Sequence, residues 1–189
     1  MVDSISEIVN KKFNENDQRL NHIHNVVKLA KELANLNDIN IEDAEIAALF
    51  HDFYRLDNLE AQISKLELKT VKMYSNTPAA FHGFCASNYL KNEFNIKNKD
   101  ILNSVSYHTF GRKNMSKLEK IIFLADKLSY DRDFEGINDL RKVSYINIDE
   151  ATCLTMKSLI NYYQINKFSI HEDLFQAYEE LKEKCSCQM

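Results

Sequence analysis

The sequence predicts an all-α protein, and three observations support that prediction. The 189 residues include only three Gly and one Pro, too few for the tight turns of an extensive sheet. Apolar residues recur at helical spacing in several long segments. The 44% hydrophobic and 28% charged residues are typical of a globular protein, and the length fits one domain. We therefore expect a single helical bundle over residues 1–189, with a core at about 17–184 and a polar tail at 185–189.

Charge and hydrophobicity also limit the expected binding partners and cellular location of the protein. The formal net charge is −4 and Lys and Arg are scattered along the chain, so we expect no nucleic acid as partner. No apolar run is long enough to span a bilayer, and the acidic first residues are unlike a signal peptide. We therefore expect a cytoplasmic protein that does not bind membranes. The sequence does not determine the oligomeric state, and a homodimer is one of the possible states.

The four cysteines are Cys85, Cys153, Cys185 and Cys187. Their spacing is not that of a zinc ribbon, and reduced thiols are the expected state in the cytoplasm. A metal-binding pair formed by Cys185 and Cys187 in the tail is the weaker alternative.

Helix signals divide the chain into segments. Residues 17–36 are amphipathic, and Asn40 can cap a second helix that continues to Arg55. Thr77, whose hydroxyl is expected to cap the helix, and Pro78 predict the start of a helix that runs to residue 94. The stretches 56–76 and 130–148 are expected to be irregular, the first with one or two short helices. Further helices are expected at 99–108 before Gly111, at 116–128 after a capping box of Ser116 and Glu119, at 149–163 and at 171–184.

Helical phase separates two nearby histidines. His22 shares a face with Val26, Leu29 and Leu33, whereas His24 lies on another face. We therefore expect His24 to be a surface residue. His22 taken alone would be a hydrogen-bonded core histidine.

Two carboxylates change the interpretation of His22. His51 and Asp52 directly follow the apolar segment AEIAALF, and Asp126 follows IIFLA on an inward stripe. A buried carboxylate is costly unless it is paired or binds a metal, and these helices offer few inward Lys or Arg. One divalent cation between the core helices would satisfy all four groups. Mixed imidazole and carboxylate ligands favour iron, manganese, cobalt or zinc over calcium.

Two further histidines are candidates for the same site. His82 shares a face with Cys85 and Leu90, and His108 lies at the end of a helix. They could bind a second metal or donate hydrogen bonds to substrate phosphates, and the sequence leaves both roles open. Arginines near these groups could bind phosphate in bidentate fashion. Arg19 and Arg55 are better placed for that role than Arg132 and Arg112.

The order His22, His51-Asp52, Asp126 resembles the HD-domain phosphohydrolase superfamily. Longer strings resemble its YqeK-type branch, which consists of symmetrical dinucleoside tetraphosphatases. These strings are RLNH, AEIAALFHDFYR, YHTFGR, LEKIIFLAD and DRDFEG. The resemblance extends from about Arg19 to the C-terminal helix.

The resemblance implies a hydrolase that splits diadenosine tetraphosphate into two ADP with a metal-activated water and an iron-type metal. Manganese or cobalt are alternatives, and a second metal is open. The implied metal ligands are His22, His51, Asp52 and Asp126. The implied catalytic residues are Asp52, His82 and His108. The implied nucleotide contacts are Arg19, His22, Asp52, Arg55, His82, His108, Thr109, Asp126, Arg132, Ser169, Ile170 and His171.

The chain departs from the family pattern at three places. Arg55 replaces a lysine and keeps the charge. Phe81-His82-Gly83-Phe84 stands where the family has Trp-His-Ala-Pro. Lys127 and a loop without proline follow Asp126, where the family has an aromatic residue and a proline.

Other functions fit the same site residues. One is a nucleotidase or cyclic-nucleotide phosphodiesterase on the same scaffold. Another is a nucleotide-binding sensor without turnover, against which the intact ligand set argues. A third is an iron oxygenase, which would use His82 and His108 as ligands of a second metal.

Overall fold

The structure is a computed structural model that describes residues 1–13 and 17–185. Its regular elements are helices throughout these ranges, which confirms the all-α prediction. The eleven α-helices described are α1 Val2–Lys12, α2 Gln18–Leu36, α3 Ile41–Phe50, α4 Leu59–Ile63, α5 Leu68–Met73, α6 Phe81–Glu93, α7 Lys99–Tyr107, α8 Lys117–Leu128, α9 Ile137–Ile146, α10 Ile148–Ile165 and α11 Glu172–Leu181. Short 3-10 turns occupy Pro78–Ala80 and Lys182–Lys184.

The centre of the bundle is formed by α2, α3, α7 and α8. Helix α2 packs against α3 and α8, and α7 packs against α3, α6 and α8. Helix α8 is buried on most sides, from Leu118 to Leu128, as its apolar sequence predicts. Helix α10 packs against α8, α9 and α11 and covers one side of the centre. None of the helices in the described ranges is both long enough and apolar enough to cross a membrane.

Several helix ends follow the side-chain signals in the sequence. The Asn40 side chain accepts hydrogen bonds from the backbone N–H groups of Glu42 and Asp43, and Ser116 accepts one from Glu119. Each satisfies donors that the first helical turn leaves free. The cap expected from Thr77 is wrong, since its hydroxyl is buried and makes no hydrogen bond within the described ranges.

The helices differ from expectation in three places. Helix α3 ends at Phe50 instead of Arg55, and His51 begins a series of turns. Helix α9 lies in the stretch 130–148 that was expected to be irregular. Helix α1 was not foreseen, and its Ile5 and Val9 are fully buried. The buried core therefore extends in front of residue 17.

The expectation of reduced thiols is wrong for one pair of cysteines. Cys153 of α10 and Cys185 after α11 form a disulfide, with their Cα atoms 6.2 Å apart. The packing of α11 on α10 brings together two residues that are 32 positions apart in sequence. Cys85 is free and buried. The expected metal pair involves Cys187, which falls in 186–189, outside the described residues.

Candidate metal centre

Four side chains from three elements meet at the centre of the bundle. His22 comes from α2, His51 and Asp52 from the turn after α3, and Asp126 from α8, and each is at most 5% exposed. His22 Nε2 lies 3.1 Å from Asp126 Oδ1 and 3.9 Å from Asp52 Oδ2. His51 Nε2 lies 3.5 Å from Asp52 Oδ2 and 3.9 Å from Asp126 Oδ1. The structure thus brings the four predicted ligands together, while His24 is exposed as expected.

The hydrogen bonds of His51 indicate the role of its second ring nitrogen, Nε2. Nδ1 lies 2.7 Å from the carbonyl oxygen of Ala48, so it must donate and carry the proton. When the ring is neutral, Nε2 is an acceptor, and it is fully buried without a hydrogen-bond partner among the described residues. Burial lowers the pKa of His51, but the Asp52 carboxylate outweighs burial and raises it, so a bound cation would take the place of a proton on Nε2. An unpaired buried nitrogen is costly, and a neutral imidazole with a free lone pair is the form that binds a metal. The donor set therefore fits a divalent metal.

Asp52 faces two groups of histidines. Its Oδ2 points to His22 and His51, and its Oδ1 lies 3.0 Å from His82 Nε2 and 3.7 Å from His108 Nε2. The two Nε2 atoms of His82 and His108 are 3.0 Å apart. The potential ligand atoms form two clusters, one of His22, His51 and Asp126 and one of Asp52, His82 and His108.

The charges in the centre shift the pKa values of its members. Burial raises the pKa of Asp52 and Asp126, but His51 beside Asp52 and Lys127 beside Asp126 outweigh it and hold both well below 3.8. Burial lowers the pKa of His108 to about 4. Both carboxylates are therefore ionised and His108 is neutral at pH 7, as metal ligation requires.

Sequence reasoning missed Asp131, which orients His22. Its Oδ2 lies 2.9 Å from His22 Nδ1, and the Ser129 hydroxyl lies 3.4 Å from the same nitrogen. A carboxylate at Nδ1 fixes the tautomer that leaves Nε2 free for a metal. The contact joins residues 109 positions apart, in a loop without helical phase, so the sequence contained no signal for it.

Cationic side chains surround the centre. Arg19 Nη1 lies 2.5 Å from Asp52 Oδ2, and Lys127 Nζ lies 2.5 Å from Asp126 Oδ2. Arg132 Nη2 lies 3.1 Å from Asp126 Oδ1. Arg112 instead pairs with the buried carboxylate of Glu119, at 3.0 and 2.5 Å.

A cavity of about 510 Å³ opens from the centre. Its lining includes Asp52, His82, His108 and Asp126, together with Arg19, Arg55, Thr109, Lys127 and Arg132. Its other residues are Ala79, Phe134, Thr155, Ser158, Leu159, Tyr162 and Tyr163. Side chains from the metal cluster and from the cationic set therefore share one space with aromatic residues.

Four predicted nucleotide contacts do not line the cavity: His22, which belongs to the metal cluster, and three residues that lie elsewhere. Ser169 is exposed and Ile170 is half-buried. His171 caps α11 and stacks on Tyr74, with ring centroids 4.1 Å apart. None of the three lines the cavity formed by the described residues.

The fold and the site together define an all-helical protein with a divalent-metal centre of histidines and aspartates at the junction of its helices. The HD-domain profile matches residues 19–131. A symmetrical bis(5'-nucleosyl)-tetraphosphatase of Halalkalibacterium halodurans is 31% identical over 87% of this chain and 89% of its own length. The one of Bacillus subtilis is 29% identical over 87% and 90%. The chain therefore belongs to the HD-domain family, in the branch that contains the symmetrical bis(5'-nucleosyl)-tetraphosphatases.

A solved structure agrees with this assignment. It is described as a predicted HD superfamily hydrolase involved in NAD metabolism, from Clostridium acetobutylicum. It superposes with a TM-score of 0.86 at 27% identity and covers 97% of this chain and 98% of its own. The similarity thus extends over the whole fold, beyond the segment that holds the metal centre.

Proposed function

We propose that this protein is a metal-dependent hydrolase that splits diadenosine tetraphosphate symmetrically into two ADP. The observation that supports it most is the opening of the buried His/Asp centre into a cavity lined by Arg19, Arg55, Lys127 and Arg132. A polyphosphate needs such a concentration of positive charge, and the chain as a whole carries a net charge of −4. The relatives named as symmetrical tetraphosphatases favour this substrate over other phosphoanhydrides.

His22, His51, Asp52 and Asp126 would hold the metal. When bound, the metal supplies a Lewis acid and lowers the pKa of a coordinated water from 15.7 to about 7. The mixed imidazole and carboxylate ligands suit iron, manganese or cobalt, and the resemblance to the YqeK-type branch favours iron among them. His82, His108 and the Oδ1 of Asp52 would hold a second metal if one binds.

With one metal, Asp52 and His82 have distinct roles in the reaction. The Asp52 carboxylate accepts a hydrogen bond from the attacking water and orients it. His108 Nδ1 lies 2.8 Å from the Val105 carbonyl oxygen and donates to it, so its neutral Nε2 can only accept. Asp52 also only accepts, so the proton shared by these three side chains resides on His82 Nε2. His82 would donate this N–H as a hydrogen bond to the leaving phosphate, while His108 and Asp52 hold its ring in position.

The remaining polar residues would bind the phosphates. Arg19, Arg55 and Arg132 offer guanidinium forks and Thr109 a hydroxyl, which stabilise negative charge in the transition state. ADP is already a good leaving group, so positioning contributes more than acid catalysis. Contacts with Ser169, Ile170 and His171 would require the substrate to extend past the cavity lining.

Metal reconstitution tests the ligand assignment. The protein is stripped with a chelator, reloaded with Fe²⁺, Mn²⁺ or Co²⁺, and assayed for metal content and turnover of diadenosine tetraphosphate. We expect Asp52→Ala to lose both bound metal and turnover. Asp139→Ala, at an aspartate with an 81% exposed side chain, should keep both. Wild-type metal content and turnover in Asp52→Ala would reject the assignment, and faster turnover with Mn²⁺ or Co²⁺ than with Fe²⁺ would reject iron alone.

A further inference from the structure

The loop between α8 and α9, residues 129–136, contributes two residues to the site although it has no regular structure. Asp131 Oδ2 lies 2.9 Å from His22 Nδ1, and Arg132 Nη2 lies 3.1 Å from Asp126 Oδ1. Most of the loop is exposed, and it contains no proline, which would fix a backbone φ. The position of its side chains therefore depends on contacts with the rest of the protein.

Arg141 of α9 provides contacts that hold this loop. Its Nε donates to the Leu128 carbonyl oxygen at 2.8 Å, and its Nη2 donates to those of Ser129 and Arg132 at 2.6 and 2.9 Å. Its Nη1 donates to the Asn138 side chain at 3.0 Å. All three nitrogens of the guanidinium are thus used, and the planar fork holds three backbone carbonyl groups at once.

These contacts exceed what the end of α8 requires. A helix leaves its last four carbonyl groups without partners inside the helix, and a cation near them is stabilising. Leu128 is the last residue of α8, so its carbonyl is one of these groups. Ser129 and Arg132 lie beyond the helix, and they precede and follow Asp131 in the chain. Arg141 therefore fixes the backbone on each side of the Asp131 carboxylate.

A second contact ties the loop to the helix that carries His22. The hydroxyl groups of Tyr130 and Tyr145 both donate to Glu32 Oε2, each at 2.5 Å. Glu32 belongs to α2 and Tyr145 to α9. The guanidinium carbon of Arg141 lies 5.8 Å from the centroid of the Tyr130 ring. Arg141 thus acts on a loop that is also attached to α2, and it sets the conformation of that loop.

We propose that Arg141 is a positioning residue of the metal centre, which holds the α8–α9 loop so that Asp131 orients His22 toward the metal. Arg141 does not line the cavity formed by the described residues. Its own hydrogen bonds go to loop carbonyls and to Asn138, so it acts on the centre through the loop. This inference rests on the ligand role that the proposed function gives to His22.

Competition between the metal-loaded protein and a chelator tests this role. Arg141→Met should weaken metal binding roughly 10-fold, as expected for a residue that supports a metal-binding histidine. Arg141→Lys should lose as much affinity, because an ammonium group keeps the charge but cannot reproduce the planar fork. Lys142→Met is the matched control. It removes a positive charge from a neighbouring residue of α9 with a 76% exposed side chain, and it should bind metal as the wild type does.

A double-mutant cycle shows whether Arg141 acts through Asp131. In the Asp131→Asn background, Arg141→Met should cause little further loss of metal affinity, because the carboxylate that it positions is already absent. Hydrogen exchange at saturating metal provides a second measurement. Backbone amides of residues 129–132 should exchange faster in Arg141→Lys than in the wild type, while those of α2 should not change. Unchanged exchange in α2 also shows that the variant is folded.

Wild-type metal affinity in Arg141→Lys would overturn the proposal, because a positive charge at the end of α8 would then suffice. Equal losses from Arg141→Met in the wild-type and Asp131→Asn backgrounds would also overturn it, because Arg141 would then act independently of Asp131. A non-additive cycle in a protein that binds metal but does not cleave diadenosine tetraphosphate would support the role of Arg141 and refute the proposed function. Cleavage by the wild type together with an additive cycle would do the reverse.

Discussion

Asp131 provides the sharpest test of how the metal centre is held. The Asp131→Asn substitution removes the carboxylate charge at His22 Nδ1 and keeps the shape of the side chain. An asparagine amide can also present its NH₂ group to Nδ1, which favours the tautomer with the proton on Nε2. We expect the substitution to weaken metal binding without unfolding the protein.

The size of the effect follows from the geometry. The contact is 2.9 Å long, and the Asp131 side chain is 22% exposed, so water screens it only in part. Substitution of a carboxylate that orients a metal-binding histidine costs 10- to 100-fold in metal affinity or activity, about 1.4 to 2.7 kcal/mol. Because some exposure remains, we expect the lower half of that range, roughly 10- to 30-fold.

Competition with a chelator measures the metal affinity directly. Asp133→Asn removes the same charge from the same exposed loop and is the matched control, with expected wild-type affinity. The KM for diadenosine tetraphosphate at saturating metal should change little in Asp131→Asn. Equal metal affinity in Asp131→Asn and wild type, or an equal loss in Asp133→Asn, would refute the role of Asp131.

Three further predictions concern stability, each measured by urea denaturation of the metal-free protein. Arg112→Met should lower the free energy of unfolding by about 3 kcal/mol, because the Glu119 side chain is 1% exposed and would lose its cation. The kcat/KM of the reloaded protein should stay unchanged. A loss of kcat/KM with intact stability would assign Arg112 to substrate binding instead. Gly83→Ala should lower the free energy of unfolding by about 1–3 kcal/mol, because the new Cβ would lie 2.7 Å from the Val105 carbonyl oxygen. Unchanged stability would show that α6 and α7 can move apart without a cost in free energy. Burial lowers the pKa of His108 from 6.5 to about 4, so between these pH values the unfolded chain binds a proton that the folded protein excludes. Stability is therefore lost as the pH falls through this interval, and His108→Gln should reduce that slope; equal slopes would contradict the shift.

Local periodicity was sufficient to predict which histidines and carboxylates are buried at the centre of the bundle. Helical phase placed His22 inward and His24 outward, and the apolar segments before Asp52 and Asp126 identified buried carboxylates. These signals lie within one or two helical turns, where side-chain direction is fixed by backbone geometry. The same reasoning placed His82 and His108 inward, and the structure buries both.

Contacts between distant segments were not predictable in this way. Asp131 reaches His22 through a loop, and residues of α10 line the cavity beside Asp126 only because α10 packs against α8. Helix α9 begins after Gly136, which has a φ of 84° and provides no side-chain cap, so the sequence lacked the usual start signal. The disulfide between Cys153 and Cys185 likewise depends on the packing of α11.

Product analysis tests the central claim most directly. The metal-loaded wild-type protein is incubated with diadenosine tetraphosphate, and the nucleotides are separated by chromatography with metal content measured on the same sample. A symmetrical tetraphosphatase yields ADP alone, two molecules for each substrate consumed. ATP together with AMP, or no cleavage by a protein that contains bound metal, would contradict the account.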